Sequence, residues 1–266
     1  MEILGFLYGY LCNQLYSTVH MRSIIILIVF LSITLPATAQ NEIRIPVTDF
    51  DPSKKETGID EGKWEVLQFK KTKATDYQLI HQNKENSHIV AISDGSASGL
   101  IYQVDIDPKE YSTIEWTWKV DATIERSSLT EKKGDDFPAR IFVTFDYSPS
   151  QLSFGDKLKY FAIKTFSRHD IPLRALTYVW AHEEETNSIQ PNPFSKWVYL
   201  VAAQSGSEHT GTWQLELRNI YEDYKKAFGE EPMRITGVAI MTDTDNTKEM
   251  AKGYYGDIIF KKTSER

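Results

Sequence analysis

An oxygen-rich loop near the C-terminus carries side chains suited to binding a cation. Asp243, Asp245 and Asn246 follow a predicted strand over residues 235–242. Carboxylate and amide oxygens are the hard ligands that calcium prefers. The loop is not an EF-hand, because Lys248 stands where that motif needs glycine. Calcium is one candidate ligand; the alternative is a turn whose side chains accept hydrogen bonds from nearby backbone N–H groups.

A second polar motif precedes another predicted strand. Asp135 and Asp136 are adjacent, so an extended chain would point them to opposite faces. Arg140 begins the strand and can form a bidentate ion pair with one of them. Two interpretations stay open: a buried ion pair that organises the loop, or a polar cluster that binds sugar hydroxyls or a carboxylated ligand. Arg218 and Asp223, at the start of a predicted helix, are candidates for the same cluster.

Aromatic residues are the third group that could contact a ligand. The chain has 6 tryptophans and 14 tyrosines, and exposed rings offer large apolar surfaces with a polar edge. Trp116, Trp118 and Trp213 lie on the apolar side of alternating segments, which predicts that they pack in the core. Trp180 and Tyr255 lie near predicted strand ends and are the candidates for a ligand surface.

Several common catalytic templates are excluded. Residues 95–99 have the glycine spacing of a nucleophile elbow, but Ala97 occupies the serine position. His182 lacks the second histidine of a zincin motif, and neither a phosphate-binding loop nor a dinucleotide fingerprint is present. The only cysteine, Cys12, precedes the predicted mature chain, which removes thiolate catalysis and zinc–cysteine sites.

The elements that must position these residues are β-strands. Within residues 114–120, Trp116 and Trp118 alternate with Glu115, Thr117 and Lys119, a pattern typical of antiparallel sheets with one buried face. We predict an all-β fold, an antiparallel β-sandwich of jelly-roll type with about two short helices. The predicted strands cover residues 63–70, 78–81, 88–93, 99–107, 113–121, 140–147, 177–181, 197–203, 212–219, 235–242 and 256–261, and the helices cover 156–166 and 220–228.

Six motifs in one order resemble a family of exported bacterial proteins catalogued only as a domain of unknown function. They are WTWKV at 116–120, KKGDDFPAR at 132–140, TYVW at 177–180, RNIYEDY at 218–224, FGE at 228–230 and IMTDTDNT at 240–247. The resemblance covers nearly the whole predicted mature chain and implies no activity. YYGDIIF at 254–260 is similar, more loosely, to the closing strand of galactose-binding-like jelly rolls, which implies a fold and not a function.

The first 39 residues have the features of a secretory signal peptide. Arg22 precedes an apolar run over residues 24–35, and the sequence ATA at 37–39 provides a cleavage site. The run is shorter than the roughly 20 residues of a spanning helix. We predict translation from Met21 after a mis-assigned extension, cleavage after Ala39, and one β-sandwich domain over residues 40–266. The mature protein would be periplasmic or extracellular, with no stable membrane anchor.

The charge of the chain bears on its partners. A net charge of −7 and a pI near 5.5 argue against a nucleic-acid partner; no sequence signal indicates an oligomeric state. The leading hypothesis is a non-catalytic binding module with a glycan as its ligand. The alternative is an enzyme acting on polysaccharides or cell-envelope glycans, with two carboxylates drawn from Asp135, Asp136, Asp223, Asp243 and Asp245. A structural envelope protein would instead show a large exposed apolar patch.

Overall fold

The computed structural model describes residues 41–53, 63–69, 71–81, 87–147 and 174–262. All of them belong to one compact unit. The predicted signal peptide and the predicted helix at 156–166 lie outside the described residues. Within the described part of the chain, no helix is long and apolar enough to cross a bilayer.

The described residues form thirteen strands and one α-helix. The strands are β1 (Glu42–Ile45), β2 (Trp64–Gln68), β3 (Asp76–Ile80), β4 (His88–Asp94), β5 (Ser98–Ile106), β6 (Thr113–Val120), β7 (Arg140–Phe145), β8 (Arg174–Ala181), β9 (Ile189–Asn192), β10 (Ser195–Ser205), β11 (Gln214–Asn219), β12 (Ile235–Met241) and β13 (Met250–Lys261), and the helix is α1 (Ile220–Phe228). Each predicted strand corresponds to one of these, whereas β1 and β9 were not predicted.

The strands pair into two sheets. Sheet A has the order β11-β6-β13-β4-β3, with β1 also paired to β13, and sheet B has the order β2-β5-β12-β7-β8-β10-β9. Every pair is antiparallel except β8 with β10, which is parallel. The predicted all-β class and antiparallel sandwich are confirmed, and the parallel pair is a local departure from the prediction.

Aromatic side chains fill the space between the sheets. Trp116 and Trp118 on β6 are buried, as predicted, and their rings face Tyr178 and Trp180 on β8. The centroids of Trp116 and Tyr178 are 5.0 Å apart, and those of Trp118 and Trp180 are 5.8 Å apart. Contacts at these distances are within the range of favourable aromatic pairs. They join sheet A to sheet B through a single core.

Helix α1 follows the local signals that predicted it. The Asn219 side chain accepts a hydrogen bond from the Glu222 backbone N–H at 3.0 Å, and so caps the first turn. Gly229 ends the helix with a φ of +71°, a left-handed conformation that favours glycine. Ile220, Tyr224 and Ala227 of the helix are buried against the core.

Strand β11 contradicts the predicted polarity. Trp213 was expected on the buried side, yet it is 43% exposed, and Leu215 and Leu217 on the same side of the strand are 63% and 62% exposed. Strand β11 lies at the edge of sheet A, where its other side chains find polar partners at the sandwich margin. Glu216 accepts a hydrogen bond from Trp118 Nε1 at 3.2 Å, and Arg218 forms an ion pair with Asp223. The polar side chains of β11 find hydrogen-bond and ion-pair partners on the inner face, so its apolar side chains lie on the outer face.

Candidate functional site

The two acidic motifs of the sequence meet in one buried cluster, which we call the Arg140 cluster: Asp135, Asp136, Arg140, Asp243 and Asn246. The Arg140 guanidinium binds Asp243 through both carboxylate oxygens, at 2.7 and 2.5 Å. Its Nη1 donates to Asp135 Oδ1 at 2.8 Å. Arg140 and Asp243 are almost fully buried. The result is a buried ion pair, but the bidentate partner of Arg140 is Asp243, from the loop after β12, and not the adjacent Asp135 or Asp136 that the motif suggested.

Asp136 serves the loop and not Arg140. Its Oδ2 accepts from the backbone N–H groups of Asn246 and Thr247 at 3.0 and 2.5 Å, and its Oδ1 accepts from Asn246 Nδ2 at 3.0 Å. The turn interpretation of the acidic loop likewise has a carboxylate that accepts from loop N–H groups. Here that carboxylate belongs to Asp136, in the loop before β7, and not to the acidic loop itself. Gly134 allows the backbone at residues 126–128 to pack against this loop, since a Cβ there would lie 2.6 Å from the Arg126 carbonyl oxygen.

Of the predicted metal ligands, Asp243 and Asn246 belong to the cluster, and Asp245 lies beside it. Carboxylate oxygens of Asp136, Asp243 and Asp245 all lie within 4.8 Å of one another. Burial raises the pKa of Asp243, and the Arg140 guanidinium opposes the rise by stabilising the ionised form. Burial, followed by the nearby Asp136 carboxylate, raises the pKa of Asp245. Asp243 already has a cationic partner in Arg140, which occupies both of its carboxylate oxygens.

The remaining predicted site residues are buried or partly buried outside the Arg140 cluster, and Tyr255 lies next to it. Arg218 binds Asp223 through two hydrogen bonds at 3.0 and 2.9 Å, and Asp223 also accepts from the Tyr178 hydroxyl. Trp180 and Tyr255 were expected to present rings to a ligand, but both are fully buried. The Tyr255 hydroxyl donates to the Met241 carbonyl at 2.6 Å. Tyr255 lies in the middle of β13, which begins at Met250 and not at Gly256, and Trp180 packs against Trp118 in the core.

An open groove on the outer face of sheet A has the chemistry of a ligand site. It has a volume of about 910 Å³, within the range typical of small-molecule sites. We call it the outer groove. Its lining includes Arg44, His88, Glu115, Thr117, Lys119, Trp213, Leu215, Gly256 and Asp257.

Aromatic rings gather at one end of the outer groove. The Trp213 ring lies 5.4 Å from the His88 ring and 6.3 Å from the Tyr254 ring, measured between centroids. Lys119 extends over this group, with its Nζ 3.9 Å from the Tyr254 centroid and 5.8 Å from the Trp213 centroid. These distances are within the range of cation–π contacts. An exposed indole therefore lies beside a positively charged group.

Two ion pairs line the rest of the groove. Glu115 on β6 pairs with Lys261 at 2.7 Å. Asp257 pairs with Arg44 at 3.0 Å and also accepts from the Val47 backbone N–H at 2.9 Å. These contacts place charged hydrogen-bonding groups along the groove in defined positions.

Gly256 leaves room for the Thr117 side chain at the bottom of the groove. It lies where β13 shifts register against β6, between Tyr255 and Ile258. A Cβ at position 256 would lie 2.1 Å from Thr117 Oγ1, so any side chain there would displace Thr117. The irregularity also turns Asp257 toward Arg44, a common effect of a β-bulge on side-chain direction.

Alternation of apolar and polar residues did not indicate this groove. It placed Trp213 in the core because that residue alternates with polar ones. The signal that would have reversed the assignment is the neighbouring set, since Gln214, Glu216 and Arg218 alternate equally well. The register of β11 against β6, which pairs Gln214 with Trp118 and Leu215 with Thr117, decides which set is buried.

The sequence profile of the family described as "Protein of unknown function (DUF3047)" matches residues 62–259. The chain belongs to this family. The match confirms the resemblance carried by the six motifs. The matched region of this DUF3047 member contains the Arg140 cluster and most of the outer groove, whose lining residues Arg44, Pro46 and Thr48 precede it. No curated protein sequence matches the chain significantly.

Several solved structures resemble the DUF3047 chain at low identity. The glycoside hydrolase domain of Endo-D from Streptococcus pneumoniae R6 is 6% identical over 77% of this chain, with a TM-score of 0.34, and this chain spans only 22% of that one. The family 30 carbohydrate-binding module of a Clostridium thermocellum cellulosomal cellulase is 10% identical over 79% of this chain and 91% of its own, with a TM-score of 0.33. The cellulose-induced protein Cip1 is 10% identical over 77% of this chain and 94% of its own, with a TM-score of 0.39.

Proposed function

We propose that this DUF3047 protein is an exported, non-catalytic binding module that holds a glycan in the outer groove. One observation carries the proposal: the exposed Trp213 ring borders an open groove whose other walls present charged hydrogen-bonding groups. An aromatic face buries the apolar side of a sugar ring, while polar groups nearby select its hydroxyls. The groove combines both features on one sheet face.

The arrangement of the carboxylates favours binding over hydrolysis. Glycosidases use two carboxyl groups across the scissile bond, one of them available as a proton donor. Asp135, Asp243 and Asp223 are each bound to an arginine. In the outer groove, Glu115 and Asp257 are likewise each paired with a cation. Because each of these carboxylates already binds a cation, none of them stands free as a proton donor across the groove.

The direct test is a glycan array followed by isothermal titration of the glycans that bind. We expect binding by the wild-type chain and a loss of at least about tenfold in affinity for Trp213→Ala, because stacking on an aromatic ring contributes on the order of 1 kcal/mol or more. Phe194→Ala is the matched control, since Phe194 is also an exposed aromatic residue (57%) but does not line the groove.

Two results would contradict the proposal. One is an absence of binding across plant, algal and bacterial polysaccharides. The other is binding that Trp213→Ala leaves unchanged, which would place the ligand elsewhere. Release of reducing ends from a bound glycan would contradict the non-catalytic part alone and support the enzyme alternative.

A further inference from the structure

The charge balance of the outer groove distinguishes Lys119 from the other cations. Arg44 and Lys261 each have a carboxylate partner in the groove, Asp257 and Glu115 respectively. Among the described residues, no carboxylate lies within ion-pair distance of Lys119; its contacts are the Tyr254 and Trp213 rings. The aromatic end of the groove therefore carries an uncompensated positive charge.

The rings hold Lys119 without occupying its hydrogen-bond donors. An ammonium group has three N–H donors and no acceptor. Contact with the Tyr254 face, at 3.9 Å from Nζ to the centroid, directs one side of the group toward the ring. The opposite side is left to face the groove, beside the exposed indole of Trp213. A ligand stacked on Trp213 would meet this cation at its edge.

We propose that the glycan is acidic: a uronic acid residue stacks on Trp213 and its carboxylate binds Lys119. This inference rests on the proposed glycan-binding function and names the class of sugar. The argument is charge complementarity, since the other charged groups of the groove are already paired and only Lys119 lacks an anionic partner. A neutral sugar would leave that charge uncompensated, whereas a carboxylate on the ring edge would neutralise it through a charge-assisted hydrogen bond.

The experiment compares oligogalacturonate with the same oligosaccharide after complete methyl esterification, which removes the negative charge and keeps the ring. Isothermal titration should show wild-type affinity at least about tenfold higher for the acid form, as expected for a hydrogen bond to a charged group. Lys119→Gln should lower affinity for the acid form by a similar factor and leave affinity for the ester unchanged. Lys226→Gln, a change at an exposed lysine on α1, is the matched control and should alter neither. Thermal melting of each variant checks that it is folded.

The outcomes separate this inference from the proposed function. If acid and ester bind equally and Lys119→Gln has no effect, while Trp213→Ala still abolishes binding, the acidic class is wrong and glycan binding stands. If neither form binds but neutral glycans do, the acidic class is again wrong. If no glycan of any charge binds, both proposals fail. Binding of polyglutamate as tightly as oligogalacturonate would indicate simple ion exchange and would also overturn the inference.

Discussion

Arg140 shows how the protein accommodates a charge in its interior. Moving a guanidinium out of water carries a large desolvation penalty, which only well-placed partners offset. Burial alone would lower the pKa of Arg140, but the Asp243 and Asp135 carboxylates raise it overall. Asn192 and the Phe137 N–H donate to the same two carboxylates. The cluster ties the loop before β7 to the loop after β12.

Removing Arg140 should therefore destabilise the fold strongly. We expect Arg140→Met to lower the free energy of unfolding by about 3–5 kcal/mol, because two buried carboxylates lose their cation. Urea denaturation followed by tryptophan fluorescence measures the change. Arg234→Met is the control: Arg234 pairs with Asp105 at the surface, and such pairs contribute less than about 1 kcal/mol. Equal losses in the two variants would show that the Arg140 cluster is not structural.

The same cluster yields a prediction about calcium. Arg140 already neutralises Asp243, and backbone N–H groups already bind Asp136. A divalent ion among these carboxylates would have to compete with a guanidinium fixed at the same oxygens. We expect neither EDTA nor added calcium to shift the melting temperature. A decrease in EDTA that Asp245→Ala eliminates would establish the calcium site that the acidic loop first suggested.

At the scale of elements, β11 decides where the outer groove lies. Its register pairs Leu215 with Thr117 and Gln214 with Trp118, so the apolar set shares the outer face with the polar set of β6. The inner face of an edge strand reaches the margin of the sandwich, where polar side chains can find hydrogen-bond partners. The strand thus exposes an apolar row beside the groove without leaving its polar side chains unpaired.

This polarity predicts how substitutions in two neighbouring strands will differ. We expect Leu215→Thr and Leu217→Thr to change the free energy of unfolding by less than about 0.5 kcal/mol, because both side chains are already in water. Val120→Thr on β6 should cost about 1–3 kcal/mol, since Val120 is fully buried and the new hydroxyl would lack a partner. Thermal melting with the three variants tests this. A large loss of stability for Leu215→Thr would show that Leu215 packs in the core.

At the scale of the whole molecule, the proposed binding groove and the Arg140 cluster lie on opposite faces of sheet A. The Arg140 cluster contacts the inner face, where the Arg140 backbone N–H donates to the Tyr255 hydroxyl at 3.4 Å. The outer groove lies on the other face, at Trp213 and Lys119. Substitutions in the groove can therefore alter ligand binding while the core remains intact.

Export is the other prediction at this scale, and it concerns the chain before residue 40. When the full chain is produced in a Gram-negative host, we expect a periplasmic product that begins at Gln40. Ala39→Tyr should block processing, because the peptidase reads a small residue at that position. Thr38→Tyr, one residue earlier, is the control and should be processed normally. A cytoplasmic product that retains Met1 would contradict the prediction.

Local sequence patterns determined the fold class, eleven of the strands and helix α1. They also indicated that Arg140 forms an ion pair with a nearby carboxylate. All of these depend on side-chain periodicity and on motifs a few residues long. The tertiary structure decided the site. Trp213 and Trp118 have the same alternating context, yet one is exposed and the other buried, since the register of β11 against β6 places Gln214 and not Trp213 on the face of Trp118. His88, Lys119 and Trp213 are far apart in the chain and meet only through strand pairing. The acidic loop after β12, the strongest local signal, became an internal support because the fold brings Asp243 to Arg140, which lies in another part of the chain.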